Sequence, residues 1–294
     1  MKQIPAKKST ALFFIFFLSF FAFAIDWPAR EGRVTANFGI SDEGIPLLGN
    51  EFAAAGPVFP ADMGELIFVH DPENHAVRFP SPLGSWMALD HGDNMAGIYG
   101  RYEDRQGTPV PTLVESGTVL AAAGRTGWSQ QNGFYFAVFD RRERRWVNPS
   151  VIITGNISGI EDRTPPVIRQ VELRTVAGTP INPGLTQRLT QGLYTIYVDV
   201  WDSQGTGGEL LAPNRITCSI NGEEKAVLSY ETLVSREGKR MVYRSGTVPA
   251  AQVYDPRGFG LGEIRLTRGQ AILVIEARDI MDNARSVTYR LTID

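Results

Sequence analysis

Gly56-Pro-Val-Phe-Pro-Ala-Asp-Met-Gly64-Glu-Leu66 sets the pattern for the first half of the chain: glycine and proline turns enclosing short runs of strand formers. Outward from it, Val34 to Phe38, Glu65 to Val69, Ser85 to Leu89, Thr118 to Ala121 and Phe134 to Phe139 all read as strands. Asp71-Pro72, Pro80-Ser81-Pro82 and Gly124-Arg-Thr-Gly127 mark turns between them. No window of twelve or more residues keeps a helical period.

The second half repeats the character after a break. Gly159-Ile-Glu-Asp-Arg-Thr-Pro-Pro166 is polar and ends in paired prolines, the composition of a linker. Val167-Ile-Arg-Gln-Val-Glu-Leu173, Leu193-Tyr-Thr-Ile-Tyr-Val-Asp-Val200, Ala271-Ile-Leu-Val-Ile-Glu-Ala277 and Ser286-Val-Thr-Tyr-Arg-Leu-Thr-Ile293 then read as strands, the last two joined by a turn at Asp279 to Asn283. Short strands over about 130 residues predict an antiparallel β-sandwich.

Whole-chain numbers agree. The 294 residues favour two domains. Thirty glycines, eighteen prolines and sixteen phenylalanines favour turns and strands. One cysteine excludes an intrachain disulfide and a cysteine-rich zinc module. Cys218 lies in an alternating strand-like stretch and reads as a buried apolar side chain.

Residues 1–24 read as a signal peptide. Lys2, Lys7 and Lys8 precede the uncharged run Ala11 to Phe23, and Ala22-Phe23-Ala24 supplies the cleavage signal. That thirteen-residue run covers ~20 Å at ~1.5 Å per residue, short of a ~30 Å hydrocarbon core. No cysteine follows it, which argues against a lipoprotein, and no second long apolar run suggests a membrane span. Removal takes away three lysines and no acids, leaving 26 basic against 32 acidic residues, a net of −6. Such a balance does not suggest a nucleic-acid partner.

Residues 34 to 150 resemble the lysostaphin/LytM-type zinc endopeptidases, which cut peptidoglycan cross-bridges. Six landmarks appear in family order. Val34-Thr-Ala-Asn-Phe-Gly39 is similar to the opening strand, and the Gly56–Leu66 segment to G-(T)-P-V-x-A-x-x-x-G-x-V. Met87-Ala-Leu-Asp-His-Gly92 resembles the hydrophobic-x-D-H-G strand, and Ile98-Tyr99-Gly-Arg-Tyr102 resembles T-x-Y-x-H-L. Val114-Glu-Ser-Gly117 through Gly124-Arg-Thr-Gly127-Trp-Ser129 and Val147-Asn-Pro149 resemble the closing segments. The resemblance implies a small all-β fold, the duplicated hybrid motif, with a groove over one sheet. The region after Pro165-Pro166 loosely resembles bacterial immunoglobulin-like modules. The expected organisation is a signal peptide at 1–24, a LytM-like domain at 25–158, a linker at 159–166 and an immunoglobulin-like β-sandwich at 167–294.

The family's zinc is held by the His and Asp of H-x-G-x-D and by the second His of H-x-H, with two further histidines assisting proton transfer and the oxyanion. A catalytic zinc needs three protein ligands and an open position for water. Here the first motif reads Leu47-Leu-Gly49-Asn-Glu51, Y-x-H reads Tyr99-Gly-Arg101, and H-x-H reads Gly133-Phe-Tyr135. The metal positions are thus Leu47, Glu51 and Tyr135, and the assisting positions Arg101 and Gly133. Sliding the last register by one gives Phe134 and Phe136, and no histidine exists after His91. The resemblance therefore implies a pseudoenzyme without zinc.

What replaced the ligands suggests two outcomes. Leu47, Phe134, Tyr135 and Phe136 turn the site apolar, either as a groove for a peptide or glycan or as core. Glu51, Arg101 and Tyr135 are the candidate groove residues; Arg101 is suited to a peptide-stem carboxylate or to Glu51 itself. His91 is expected to pack against, or bond within, its D-H-G turn. His70, Asp71 and His75 form either a weak metal site or a solvated loop. Arg141-Arg-Glu-Arg-Arg145 is either a hairpin tip of solvated charge or a contact for an acidic partner or phospholipid headgroups. Asp279, Asp282 and Asn283 supply either calcium oxygens or an Asx turn.

The leading expectation is a non-catalytic envelope protein, periplasmic, binding peptidoglycan or a cell-wall hydrolase. The alternatives are an active zinc endopeptidase with a rearranged site and a structural or adhesive secreted protein.

Overall fold

Strand-forming runs punctuated by glycine turns give an all-β chain. The computed structural model describes residues 25–72, 80–103, 105, 109–153, 162–203 and 208–294. The expected signal peptide and His75 lie outside the described residues, as does part of the expected linker.

The first region centres on β6 (Gly133–Asp140), whose residues are almost all buried. One edge of β6 pairs first with β2 (Asn50–Ala53) and then with β7 (Arg145–Val147); the other edge pairs with β5 (Met95–Tyr102). From β5 the sheet continues antiparallel through β4 (Ser85–Asp90) to β3 (Gly64–His70), while β1 (Arg33–Ala36) lies outside β2. Phe52, Met87, Leu89, Tyr99, Phe134 and Phe136 fill the core. The run expected as a strand at Thr118 to Ala121 is extended only at its end. Ala121 and Ala122 pair with Val58 and Pro57, whereas Thr118 N–H turns back to Glu115 O after Gly117 at φ +92°.

The second region packs two sheets over one core. One contains β8 (Val167–Thr175), β9 (Gly192–Trp201) and β13 (Gly258–Leu266). The other contains β10 (Arg215–Ile220), β11 (Glu223–Arg236), β12 (Lys239–Arg244), β14 (Gly269–Arg278) and β15 (Ala284–Ile293). Alternate residues of β9 (Tyr194, Ile196, Val198, Val200) and of β10 and β14 (Ile216, Cys218, Leu273, Ile275) point inward, the period of two that a sheet with one covered face requires. Cys218 is fully buried there, and burial pushes its thiol up to about 12.

The two regions share a sheet. β7 pairs with β11 at Arg145–Val234, Trp146–Leu233 and Val147–Thr232, so one run of strands passes from β3 to β15. Phe38 sits in the second region's core, with Leu48 and Trp146 packed against it, and Leu211 sits in the first region's core. Asn37 clamps Ala212 with both side-chain atoms, Nδ2 donating to its carbonyl at 2.7 Å and Oδ1 accepting from its N–H at 2.8 Å. Tyr254 Oη donates to Gly39 O at 2.6 Å, and Asn148 Nδ2 donates to Tyr230 O at 3.0 Å. Among the described residues no helix is long and apolar enough to cross a membrane.

Candidate functional site

Three sequence-selected residues converge. Tyr135 on β6 pairs with Glu51 on one side and with Gly100 on the other, so the strand register alone brings Glu51 and Arg101 to the two flanks of Tyr135. Arg101 is then turned inward by a β-bulge. Ser85 faces Tyr102 and Trp86 faces Gly100, leaving Arg101 as the extra residue, at φ +64°. A non-glycine residue in the left-handed region costs about 1–2 kcal/mol. The backbone is held there by Arg101 N–H donating to Leu83 O at 2.6 Å, and the side chain by Glu51, whose Oε1 lies 2.5 Å from Arg101 Nη1.

Tyr135 lies beneath this pair. It is only 6% exposed, with the Arg101 guanidinium carbon 5.8 Å from its ring centre. Burial holds its phenol well above the ordinary range; the nearby Arg240 and Arg101 partly oppose that, and Glu51 adds to it. The phenol therefore stays protonated. Arg240, on β12 of the second region, was not singled out by the sequence, because nothing local links it to β6. Its own ionisation is lowered by burial and raised by Tyr135.

Of the two outcomes weighed for these aromatics, Phe134 and Phe136 take the core one, and Tyr135, a candidate groove residue, lines no open groove. All three are buried, because β6 is central in its sheet and covered on both faces. Phe134 stacks on Phe52 at 4.6 Å and Phe136 tilts against Tyr99 at 5.1 Å. Gly133 cannot carry a side chain in this backbone: a Cβ there would lie 1.7 Å from Phe52 O. At Gly49 it would lie 2.3 Å from Phe136 O. Leu47 is half-buried in the turn before β2, its N–H donating to Ile40 O and its carbonyl accepting from Gly39 N–H.

These residues do not make a zinc donor set. Leu47 offers no donor atom, the Glu51 carboxylate is engaged by Arg101, and Tyr135 is a buried neutral phenol. A catalytic zinc takes three nitrogen, sulfur or carboxylate ligands.

His91 is a structural residue. Its Nδ1 lies 3.0 Å from Met63 O, which can only accept, so Nδ1 carries the proton. Its Nε2 then accepts from Tyr99 Oη at 3.0 Å, and Tyr99 Oη in turn accepts from Ala61 N–H at 2.8 Å. Burial lowers the His91 pKa below 6.5, against the raising effects of Met63 O and nearby acids. The Arg141–Arg145 run forms a charged tip between β6 and β7, where Arg141 pairs with Asp90 at 2.6 Å. His70 lies against Trp86 at 6.3 Å. Met63, Ile67, Phe68 and Leu113 are exposed apolar side chains on or beside β3, at the end of the run of strands.

The comparisons give likenesses to peptidases at low identity. A search of curated protein sequences finds no match. A family model without a functional description matches residues 165–294. The catalytic domain of a point mutant of the prophage-encoded M23 protein EnpA from Enterococcus faecalis is 22% identical, covers 44% of this chain and 95% of its own, and gives a TM-score of 0.36. A zinc-containing peptidase from Vibrio cholerae gives 22% identity, 43% and 39% coverage, and a TM-score of 0.36. Lysostaphin from Staphylococcus simulans gives 14% identity, 75% and 85% coverage, and a TM-score of 0.35.

Proposed function

We propose that this is an exported envelope protein in which a LytM/lysostaphin-type domain over residues 25–158 has lost zinc and hydrolysis and has kept a binding role. In this reading residues 1–24 are removed on export to the periplasm. Residues 159–166 connect the domain to an immunoglobulin-like sandwich over 167–294. The six ordered landmarks support the family. The observation that carries the loss of hydrolysis is the Glu51–Arg101 ion pair closed over buried Tyr135.

The ligand class follows from Arg101. Its guanidinium is largely shielded from water and already engages one carboxylate, the geometry that favours carboxylate recognition. A peptide-stem carboxylate of peptidoglycan would exchange with Glu51. The exposed apolar side chains on and beside β3 favour a protein partner, and a cell-wall hydrolase is the partner consistent with them.

The test is digestion and co-sedimentation with purified sacculi, with and without added zinc, beside a zinc assay of the protein. The reading expects co-sedimentation, no released peptide and no stoichiometric zinc. Glu51→Gln should strengthen pelleting and Arg101→Gln should weaken it. Stoichiometric zinc with zinc-dependent release of peptides would overturn it in favour of an active endopeptidase.

A further inference from the structure

Outside the Arg101 site, three carboxylates meet where the two regions join. Asp162 comes from the segment before β8, Asp202 from just past the end of β9, and Asp279 from just past the end of β14. One oxygen of each lies within 4.8 Å of the others. Bringing like charges this close is unfavourable unless something neutralises them.

A second observation points to what does so. Asp202 is 6% exposed, and no donor among the described residues reaches its buried Oδ1. Asn214 Oδ1 is likewise buried without a partner. Both residues line one small cavity of about 20 Å³, together with Asp162, Asn37, Asn148 and Ile280; Asp279 is not part of that lining and joins the site through its oxygen within 4.8 Å of Asp162 and Asp202. That volume holds one guest of about the size of a water molecule. Two buried acceptors with no donor among the described residues call for a guest that donates to them or carries positive charge, and the adjacent carboxylate cluster favours the charge.

We propose that Asp162, Asp202 and Asp279, with the side-chain carbonyl of Asn214, form a calcium site at the junction of the two regions. The donors are all oxygens, which suits a hard cation rather than zinc. Oxygens each ~2.3–2.6 Å from a shared calcium are at most about 5 Å apart, and the three carboxylates meet that limit. Burial and the adjacent Asp279 push the Asp202 carboxyl up to about 7, the Ser203 N–H opposing and Asp162 adding to the rise.

The rest of the junction is already organised to hold the ligands. Asp279 Oδ1 accepts from Met281 N–H and Asn283 N–H, both at 2.8 Å. Asn283 Nδ2 donates to Asp279 Oδ2 at 2.7 Å and to Asp162 O at 3.0 Å, clipping the segment before β8 to this turn. The sequence offered Asp279, Asp282 and Asn283 as either calcium ligands or an Asx turn. Asp279 and Asn283 build the turn, and Asp282 points to solvent at 89% side-chain exposure. A bound cation would fix the second region's connecting segment against Asn37 and Asn148 of the first.

The test uses the full chain stripped of metal with a chelator, titrated calorimetrically with calcium chloride and melted with and without it. One calcium per chain is expected, with Tm raised by roughly 5 °C at a hundredfold excess over Kd. Asp202→Asn, a shape-conserving change, should abolish the heat and the shift; Asp282→Asn should leave both unchanged. Absence of heat and shift at millimolar calcium in folded protein overturns the proposal, as does wild-type binding by Asp202→Asn. An equal response to magnesium overturns the assignment to calcium.

Discussion

Arg101 Nη1 and Glu51 Oε1 lie 2.5 Å apart although their strands flank β6 on opposite edges, so the ion pair bridges across Tyr135. Both side chains are mostly buried, which makes loss of either partner costlier than at a free surface. Arg101→Gln and Glu51→Gln should each destabilise the protein by about 1–2 kcal/mol, the double variant by less than their sum. Urea unfolding of the four proteins measures this; strict additivity would deny the pair any role.

Gly133 has no room for a methyl group against Phe52 O. Gly133→Ala must push β2 away from β6 and should cost about 3 kcal/mol or more, above the usual range for overpacking because the obstacle is backbone. Gly117→Ala, with open space at its Cβ position, pays only for its positive φ and should cost about 1 kcal/mol. Thermal unfolding of the two variants ranks them.

Neutral His91 ties the D-H-G turn to Met63 and Tyr99. Its folded pKa is depressed below 6.5, so the unfolded chain binds the proton more readily. Its stabilising contribution is complete above pH 6.5 and is lost as pH falls through the folded value. The Tm of the wild type should therefore drop on acidification below pH 6.5, and His91→Gln should flatten that part of the curve. An unchanged profile in the variant would remove His91 as its source.

Asn37 makes two hydrogen bonds to the Ala212 backbone from the other region. Asn37→Ala leaves a buried N–H and carbonyl unpaired and should cost about 1–3 kcal/mol. Because the regions share strands and core residues, wild-type calorimetric unfolding is expected as a single transition, and the variant tests whether it splits.

The repeated strand pattern was readable because it is local. The continuous apolar run of Phe134–Phe139 announces a strand covered on both faces, and it becomes the central β6. Phe134 and Phe136 take the core outcome for the same reason, and Tyr135, offered as a groove residue, is buried with them, since a strand covered twice has no open face. Glu223–Arg236 escaped notice because charged residues at both ends mask an apolar middle. Glu51 and Arg101 could be named from motif positions, but the bulge that aims Arg101 depends on the register of β4 against β5. Arg240, Asp162 and Asp202 gave no signal of a site, as each acquires its neighbours there from segments far away in sequence.

Because β7 lies beside β11, the halves are held together by more than the covalent connection between them once folding is complete. Cleaving that connection in the native protein would leave a two-fragment complex held by a backbone ladder, the Asn37 clamp and interlocked aromatic side chains. Expressed separately, each fragment would instead present a bare strand edge, Arg145–Val147 on one and Thr232–Val234 on the other, ready to recruit any chain offering a matching backbone. The peptide link thus works during biogenesis, keeping two adhesive surfaces at high local concentration so that each finds its own counterpart first.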